Sequence, residues 1–253
     1  MRQLELVCQR GGLSFCYDCR QKQFFPESGL SLSETSQVTA DWSQIDTLLL
    51  DMDGTLLDLH FDNQFFLELL PDRMAQKHGG TKQQAKSKLQ QLYHELNGTL
   101  DWYCLDYWSR RLDIDLIPMK QELKHLIGFR PGVEQCLKIL GDKGIRRVLV
   151  TNAHPASLEL KLDVTNLDDY LDLMVTAHQL GHPKEQQDFW HKLQYVEAFD
   201  PQRTLFIDDN IAVLKSAELY GIKHLRAIRQ PDSQREQVNT AGFAAIDDFM
   251  DLL

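Results

Sequence analysis

The sequence has no long hydrophobic run and no recognisable export signal. None of its segments approaches the roughly 18 consecutive apolar residues that a helix needs to cross a bilayer. The first five residues, MRQLE, do not begin the apolar stretch typical of a secretion signal. These absences argue against a membrane protein or a secreted protein, and they predict a cytoplasmic location.

Positive charge is also scarce. The chain has 27 Lys and Arg residues against 37 Asp and Glu residues, a net charge of -10 and a pI near 5.3. Binding to a nucleic-acid polymer or to an anionic membrane needs clustered Lys and Arg, so both kinds of partner are disfavoured. A small anionic ligand remains compatible with this composition, because a single site can gather the few cations that it needs.

The cysteines do not form the framework of a disulfide-stabilised protein. There are five, an odd number spread over 253 residues, and they are expected to be free thiols. Cys16 and Cys19 have the spacing of half a zinc site, but no second Cys/His pair follows at a suitable distance. His154 follows a candidate phosphate loop and is either a substrate contact or an ordinary polar residue. The remaining histidines do not have the spacing of a metal site.

The amount of apolar sequence is enough for one large domain that carries an insertion, since 43% of the residues are hydrophobic. Residues 1–44 lack sustained periodicity and become rich in Ser and Thr, which predicts a poorly ordered N-terminal extension. A buried strand follows at 47–50. Residues 59–127 contain helical patterns broken by glycines and no convincing strand, which predicts an inserted, all-helical cap.

The rest of the chain alternates between helical and strand patterns. Strands are predicted at 147–150, 173–175, 204–207 and 224–228, with helices between them. This alternation predicts an α/β fold, a Rossmann-like parallel sheet with helices on both faces, whose core is formed by residues 45–58 and 128–253. The cap would lie above the carboxyl ends of the strands. A monomer and a small homo-oligomer are both compatible with the sequence.

Polar side chains follow three of the predicted strands. They are Asp51, Asp53, Thr151, Asn152, Asp208 and Asp209. Parallel strands bring these groups to one edge of the sheet, where four carboxylates would repel one another unless a cation lay among them, and oxygen ligands suit Mg²⁺. Lys184 follows a Gly-His-Pro loop and is expected to reach the same edge, where it would contact a carboxylate and a substrate phosphate.

The segment DMDGT at 51–55 resembles the DxDGT signature of the haloacid-dehalogenase-like (HAD) phosphohydrolase superfamily. Thr151, Lys184 and the pair Asp208-Asp209 match the second, third and fourth motifs of that superfamily in the required order. The resemblance covers residues 46–250. It implies a phosphoric monoester hydrolase that works through an aspartyl-phosphate intermediate.

The resemblance also implies a role for each motif residue. Asp51 would be the nucleophile, and Asp53 would protonate the leaving group and then activate water. Mg²⁺ would be held by the Asp51 carboxylate, the Asp53 backbone carbonyl and Asp209, while Asp208 would orient the metal shell. The groups expected to bind the phosphate are Thr151, Asn152 and Lys184.

Four segments are similar to the bacterial GMP/IMP 5′-nucleotidases of this superfamily: LLLDMDGTLLDLHFD, LDWYCLDYW, TNAHP and RTLFIDD. This similarity implies a purine mononucleotide substrate, on which Trp102 and Tyr103 are possible base contacts. On pattern alone, the same aromatics are better explained as the apolar face of a cap helix.

A phosphatase of another metabolite, such as a sugar phosphate, and a phosphomutase remain alternatives. A catalytically silent binding module is disfavoured, because the chain keeps Asp51, Asp53 and Lys184.

Overall fold

The computed structural model describes residues 39–253. The predicted N-terminal extension therefore lies outside the described residues, except for its last six. Those six differ from the prediction, because Trp42–Gln44 form a 3-10 helix and the indole Nε1 of Trp42 donates a hydrogen bond to the Leu252 carbonyl at 2.7 Å. The Ala40 N–H donates to the same carbonyl at 3.2 Å. Residues 40–44 are thus part of the packed domain.

The core of the described region is a six-stranded, fully parallel sheet. Its strands are β1 (Thr47–Leu50), β2 (Arg146–Thr151), β3 (Leu173–Thr176), β4 (Thr204–Asp208), β5 (His224–Ile228) and β6 (Ala245–Ile246). The strand order is β3-β2-β1-β4-β5-β6. This arrangement confirms the predicted Rossmann-like fold. The sequence did not predict β6, because two residues are too few to show a period.

Helices cover both faces of the sheet. Those of the core are α7 (Val133–Asp142), α8 (Pro155–Thr165), α9 (Ala177–Leu180), α10 (Gln187–Val196) and α11 (Ile211–Tyr220). Alternate residues of β1 point to opposite faces, so Leu48 and Leu50 pack in the apolar cluster with α7 and α8, while Leu49 packs in the cluster with α9, α10 and α11. This two-sided burial explains why β1 is a continuous apolar run.

A helical segment lies between β1 and β2, and we call residues 60–126 the cap. Its helices are α1 (His60–Gln64), α2 (Leu70–His78), α3 (Lys82–Leu96), α4 (Leu100–Tyr103), α5 (Leu105–Leu112) and α6 (Leu116–Gln121). The cap has an apolar cluster of its own, which includes Phe65, Leu89 and Trp108. A π-helical turn, Phe65–Leu69, joins α1 to α2 just before Pro71, which lacks the N–H that a regular helix would use.

One predicted helix is shorter than expected. The pattern favoured a helix from Lys184 to Ala198, whereas α10 begins at Gln187 and ends at Val196. The Lys184 N–H donates to Asn152 Oδ1 at 2.9 Å, so the chain is held in a turn at this position. No helix within residues 39–253 has both the length and the apolar character that crossing a membrane would require.

Candidate active site

The strand order places the sequence motifs beside one another. The central strand β1 pairs with β2 on one side and with β4 on the other, and the ends of these strands carry Asp51, Thr151 and Asp208. The Asp51 N–H donates to the Ile207 carbonyl at 3.0 Å, which extends the β1–β4 pairing by one residue and fixes the start of the loop. The carboxyl end of the sheet is therefore the candidate active site, as expected for this topology.

Lys184 lies among the carboxylates at this edge. Its Nζ contacts Asp51 Oδ1 and is 2.7 Å from Asp208 Oδ2, and all three side chains are buried. Burial lowers the pKa of a lysine, but Asp208 and Asp51 outweigh it and raise the pKa of Lys184 above its usual value. The ammonium is thus held in its charged form beside Asp51.

Three acids at this edge carry more negative charge than Lys184 balances. Asp51, Asp208 and Asp209 each offer an oxygen, and these oxygens lie within 4.8 Å of one another. Burial, with the Asp208 charge adding to it, raises the pKa of Asp51 to about 6. Burial and the neighbouring carboxylates also raise the pKa of Asp209 well above its usual value. Such a cluster of hard oxygen ligands fits a divalent cation, which would relieve the repulsion.

Gly54 allows Asp209 to approach the first loop. Its φ of +82° lies in the left-handed region that favours glycine, and a Cβ added there would be 2.6 Å from Asp209 Oδ2. The DxDGT segment therefore needs glycine both for the backbone conformation and for the space that Asp209 occupies.

The Asp53 side chain is held by a lysine that the sequence analysis missed. Lys161 of α8 is fully buried, and its Nζ contacts Asp53 Oδ1 and, at 2.6 Å, Asp62 Oδ2. Asp62 in turn accepts from Lys120 at 2.8 Å, so two buried lysines alternate with two partly buried acids in a chain of ion pairs from the core to the cap. Burial, followed by the Asp62 and Asp51 charges, raises the pKa of Asp53 to about 6, although Lys161 opposes this shift.

The loop after β2 contacts the segment around Lys184. Asn152 Oδ1 accepts from the Lys184 N–H, and its Nδ2 donates to Glu185 Oε2 at 3.0 Å. The Thr151 Oγ1 accepts from the Ala153 N–H at 3.0 Å, which leaves the hydroxyl hydrogen to donate elsewhere. Asn152 therefore positions Lys184 and Glu185, a role that the sequence did not predict.

Comparison with known proteins is consistent with this geometry. The family model of haloacid dehalogenase-like hydrolases matches residues 45–221. The chain belongs to the haloacid dehalogenase-like hydrolases. A protein of Escherichia coli K12 named GMP/IMP nucleotidase YrfG is 44% identical over 192 residues, which are 76% of this chain and 86% of that protein. The protein of the same name from Shigella flexneri matches over the same lengths. Together these matches show that this hydrolase is a phosphoric monoester hydrolase.

Solved structures of this family share the fold of the hydrolase. A HAD phosphatase from Thermococcus onnurineus aligns with a TM-score of 0.67 at 21% identity, covering 82% of this chain and 95% of that one. An L-2-haloacid dehalogenase from Xanthobacter autotrophicus aligns with a TM-score of 0.54 at 15% identity, covering 82% and 96%. At these identities the likeness shows the architecture alone.

The two candidate base contacts of this hydrolase have different surroundings. Trp102 packs edge-on against Tyr93, with ring centroids 4.8 Å apart, and its backbone carbonyl accepts from the Trp108 indole. It belongs to the edge of the cap's apolar cluster. The Tyr103 hydroxyl instead donates to Glu185 Oε1 at 2.5 Å and so joins the cap to the residue next to Lys184.

Local patterns gave no signal for several of these contacts. Lys161 and Asp53 are 108 residues apart in the chain, and Tyr103 and Glu185 are 82 apart. Lys161 lies in a helix whose apolar residues follow no clear amphipathic period, so nothing in the sequence marked it as buried.

Proposed function

We propose that this hydrolase is a Mg²⁺-dependent 5′-nucleotidase that converts purine nucleoside 5′-monophosphates to nucleoside and phosphate through an aspartyl-phosphate on Asp51. Asp51 contacts Lys184 and belongs to the acid cluster, and this arrangement supports the metal-assisted attack of Asp51 on phosphorus. The 44% identity to a protein named for GMP and IMP supports the choice of substrate.

Asp51 is the nucleophile of the first step. One carboxylate oxygen is held by Lys184, whose position is fixed by Asp208 and by the Asn152 side chain. The carboxylate attacks phosphorus, and the bond from phosphorus to the 5′-oxygen of the nucleoside breaks. The Lys184 ammonium also stabilises negative charge on the phosphoryl oxygens, while the Thr151 hydroxyl donates a hydrogen bond to one of them.

Asp53 transfers the protons. It gives a proton to the leaving 5′-oxygen, and it then takes one from the water that hydrolyses the aspartyl-phosphate. Within residues 39–253, Lys161 contacts one oxygen of this carboxylate, Oδ1, and also donates to Asp62. This pairing limits the rotation of Asp53 and is the contribution of the buried lysine to the reaction.

Mg²⁺ would be bound by the Asp51 carboxylate, the Asp53 backbone carbonyl and Asp209. When bound, the ion neutralises charge on the transferring phosphoryl group. Asp208 does not need to be a direct ligand, because its oxygens already accept from Lys184 and from the Asn210 N–H at 2.8 Å. Its carboxylate positions the groups that surround the ion.

GMP and IMP are expected to be hydrolysed with a higher kcat/KM than UMP, CMP or glucose 6-phosphate. A two-ring base offers more stacking area than a pyrimidine, and Tyr103 lies where the cap meets the catalytic edge. Steady-state kinetics on this panel measures the preference. If a sugar phosphate had the highest kcat/KM of the panel, the purine assignment would be wrong, while the roles of Asp51 and Lys184 would stand.

Two variants of Tyr103 separate stacking from the contact with Glu185. Tyr103→Ala removes the ring and is expected to lower kcat/KM for GMP by about 5- to 150-fold, from a stacking loss of roughly 1–3 kcal/mol. Tyr103→Phe keeps the ring and should lose far less. A small aryl phosphate lacks a base and serves as the control substrate, since Tyr103→Ala should leave its turnover nearly unchanged. Equal losses on both substrates would argue against base stacking.

Chelation of divalent ions is expected to reduce turnover to background, and added Mg²⁺ should restore it. The same ion should raise the melting temperature of chelated protein, because binding to the native state adds about 2.7 kcal/mol at a hundredfold excess over Kd. A domain of this size gains roughly 2–4 °C for each kcal/mol. The Asp209→Asn variant should lose most of this shift, whereas Asp142→Asn, an exposed acid on α7, should keep it. Full activity in chelator would contradict the proposed cofactor.

A further inference from the structure

A second cluster of metal-binding side chains lies where the cap meets the core. It consists of Cys104, between α4 and α5, His154, directly before α8, and His178 in α9. A sulfur and two ring nitrogens from these residues lie within 4.8 Å of one another. The two imidazole rings are 5.1 Å apart and nearly perpendicular, at 81°. None of the three residues belongs to the acid cluster of Asp51, Asp208 and Asp209.

His178 has unmet hydrogen-bonding capacity. Both of its ring nitrogens are shielded from solvent. The backbone of Ala153 lies close enough to interact with the ring, but neither nitrogen makes a hydrogen bond of normal geometry within residues 39–253. Leaving a buried donor or acceptor unpaired costs roughly 1–3 kcal/mol, so such a group calls for an explanation. Burial, with His154 adding to it, lowers the pKa of His178, and a neutral imidazole is the form that binds a metal.

The contacts of His154 leave it able to bind an ion. Its Nδ1 accepts from the Ala156 N–H at 3.3 Å, and its Nε2 is 3.7 Å from Asp106 Oδ2. Both distances exceed those of a good hydrogen bond. The ring can therefore give one nitrogen to an ion while its other N–H turns to Asp106, the pairing by which carboxylates commonly orient a ligating histidine.

Cys104 completes a donor set of one thiolate and two imidazoles. Its Sγ accepts from the Tyr107 N–H at 3.4 Å, a contact that supports negative charge on the sulfur of a bound thiolate. We propose that Cys104, His154 and His178 form a second metal site that takes a borderline divalent ion of the zinc class. Three such ligands with an open fourth position are a common arrangement for Zn²⁺, whereas Mg²⁺ prefers the oxygen ligands of the acid cluster.

An ion at this site would link the cap to the core. Cys104 belongs to the cap, while His154 and His178 belong to the core, so an ion bound by all three connects the two parts. The site is independent of the proposed nucleotidase reaction. It can be present whether or not purine nucleotides are the substrate.

Cobalt binding to the full-length protein tests the site, because Co²⁺ replaces zinc-class ions and reports its ligands by absorption. Thiolate ligation gives a sulfur-to-cobalt charge-transfer band, which the oxygen-only cluster at Asp51 does not produce. Cys8, Cys16 and Cys19 are first replaced by Ser, since Cys16 and Cys19 have a spacing that binds metals. Cys136 can stay, because burial raises the pKa of its thiol to about 12.

The triple-Ser protein, freed of metal by chelation, is expected to develop the thiolate band with one equivalent of Co²⁺, and Zn²⁺ should remove it by competition. Cys104→Ser should abolish the band, and His178→Ala should weaken Co²⁺ binding more than about tenfold. His191→Ala, an exposed histidine of α10, is the matched control and should change nothing. A band that persists in Cys104→Ser, or the absence of any band in the triple-Ser protein, overturns the proposal.

A measurement without variants covers the case in which a substitution prevents folding. Zn²⁺ should slow alkylation of Cys104 in the unmodified protein at least tenfold, as read by mass spectrometry of the peptide that contains it. Alkylation at the same rate with and without Zn²⁺ would contradict the site. Mg²⁺ is the control ion and should give no protection, because it binds thiolate poorly.

Discussion

Replacement of Asp51 by Asn is expected to lower kcat by roughly 10⁴-fold or more, as the loss of a nucleophile does in other covalent enzymes. The amide of Asn cannot form the acyl phosphate, and it also removes a negatively charged oxygen from the proposed Mg²⁺ site. Steady-state assays with GMP and with an aryl phosphate measure the loss, which should be equally severe for both substrates because each requires the same attacking group.

The Asp51→Asn variant should remain folded. Asp51 shares Lys184 with Asp208 and lies close to the half-buried Asp209, so removal of its charge reduces repulsion while Lys184 keeps Asp208 as a partner. The melting temperature in chelator is therefore expected to be unchanged or higher. Asp142→Asn is the control for a loss of charge away from the site and should retain full activity. Substantial turnover by Asp51→Asn, shown by mass to be free of deamidation, would rule out the covalent mechanism.

Replacement of Asp53 by Asn should separate the two chemical steps. An amide cannot protonate the 5′-oxygen of a nucleotide, so hydrolysis of GMP is expected to fall by roughly 10²- to 10⁴-fold. An activated aryl phosphate needs no proton on its leaving group and should still phosphorylate Asp51. Breakdown of that aspartyl-phosphate then stalls, because Asp53 is also the base that activates water.

Rapid mixing of Asp53→Asn with an aryl phosphate is therefore expected to release a burst of about one phenol per active site, followed by slow turnover. Mass spectrometry should find phosphate on the peptide that contains Asp51. The Asp51→Asn protein provides the matched control and should give no burst. Equal loss of rate on good and poor leaving groups, without a burst, would remove Asp53 from the first step.

The motif residues of the catalytic edge were predictable because each follows a strand. Asp51, Thr151 and Asp208 stand at the ends of apolar segments, and parallel strands that are neighbours in a sheet must bring their ends together. Lys184 was expected at the same edge, and it contacts Asp51 and Asp208 there. The role of each residue in catalysis stays a prediction.

The residues that support these groups were not predictable in the same way. Lys161 contacts Asp53 only because α8 packs with that side chain turned toward the first loop, and a sequence period does not give the rotation of a helix whose apolar pattern is weak. Glu185 accepts hydrogen bonds from Asn152 of the core and from Tyr103 of the cap. This bridge forms because of the way the cap packs on the core, which a local sequence pattern does not give. These contacts depend on how whole elements dock.

The sequence by itself determined the parallel α/β sheet, the helical segment after β1 and the order of the charged residues at the strand ends, because strand and helix periods and loop positions are local properties. Only the tertiary structure decided which side chains from distant elements meet. It brought together Lys161 and Asp53, and it grouped Cys104 with His154 and His178, although the spacing of the histidines indicated no metal site. Such groupings depend on the packing of helices against the sheet and the cap, which a local pattern does not encode.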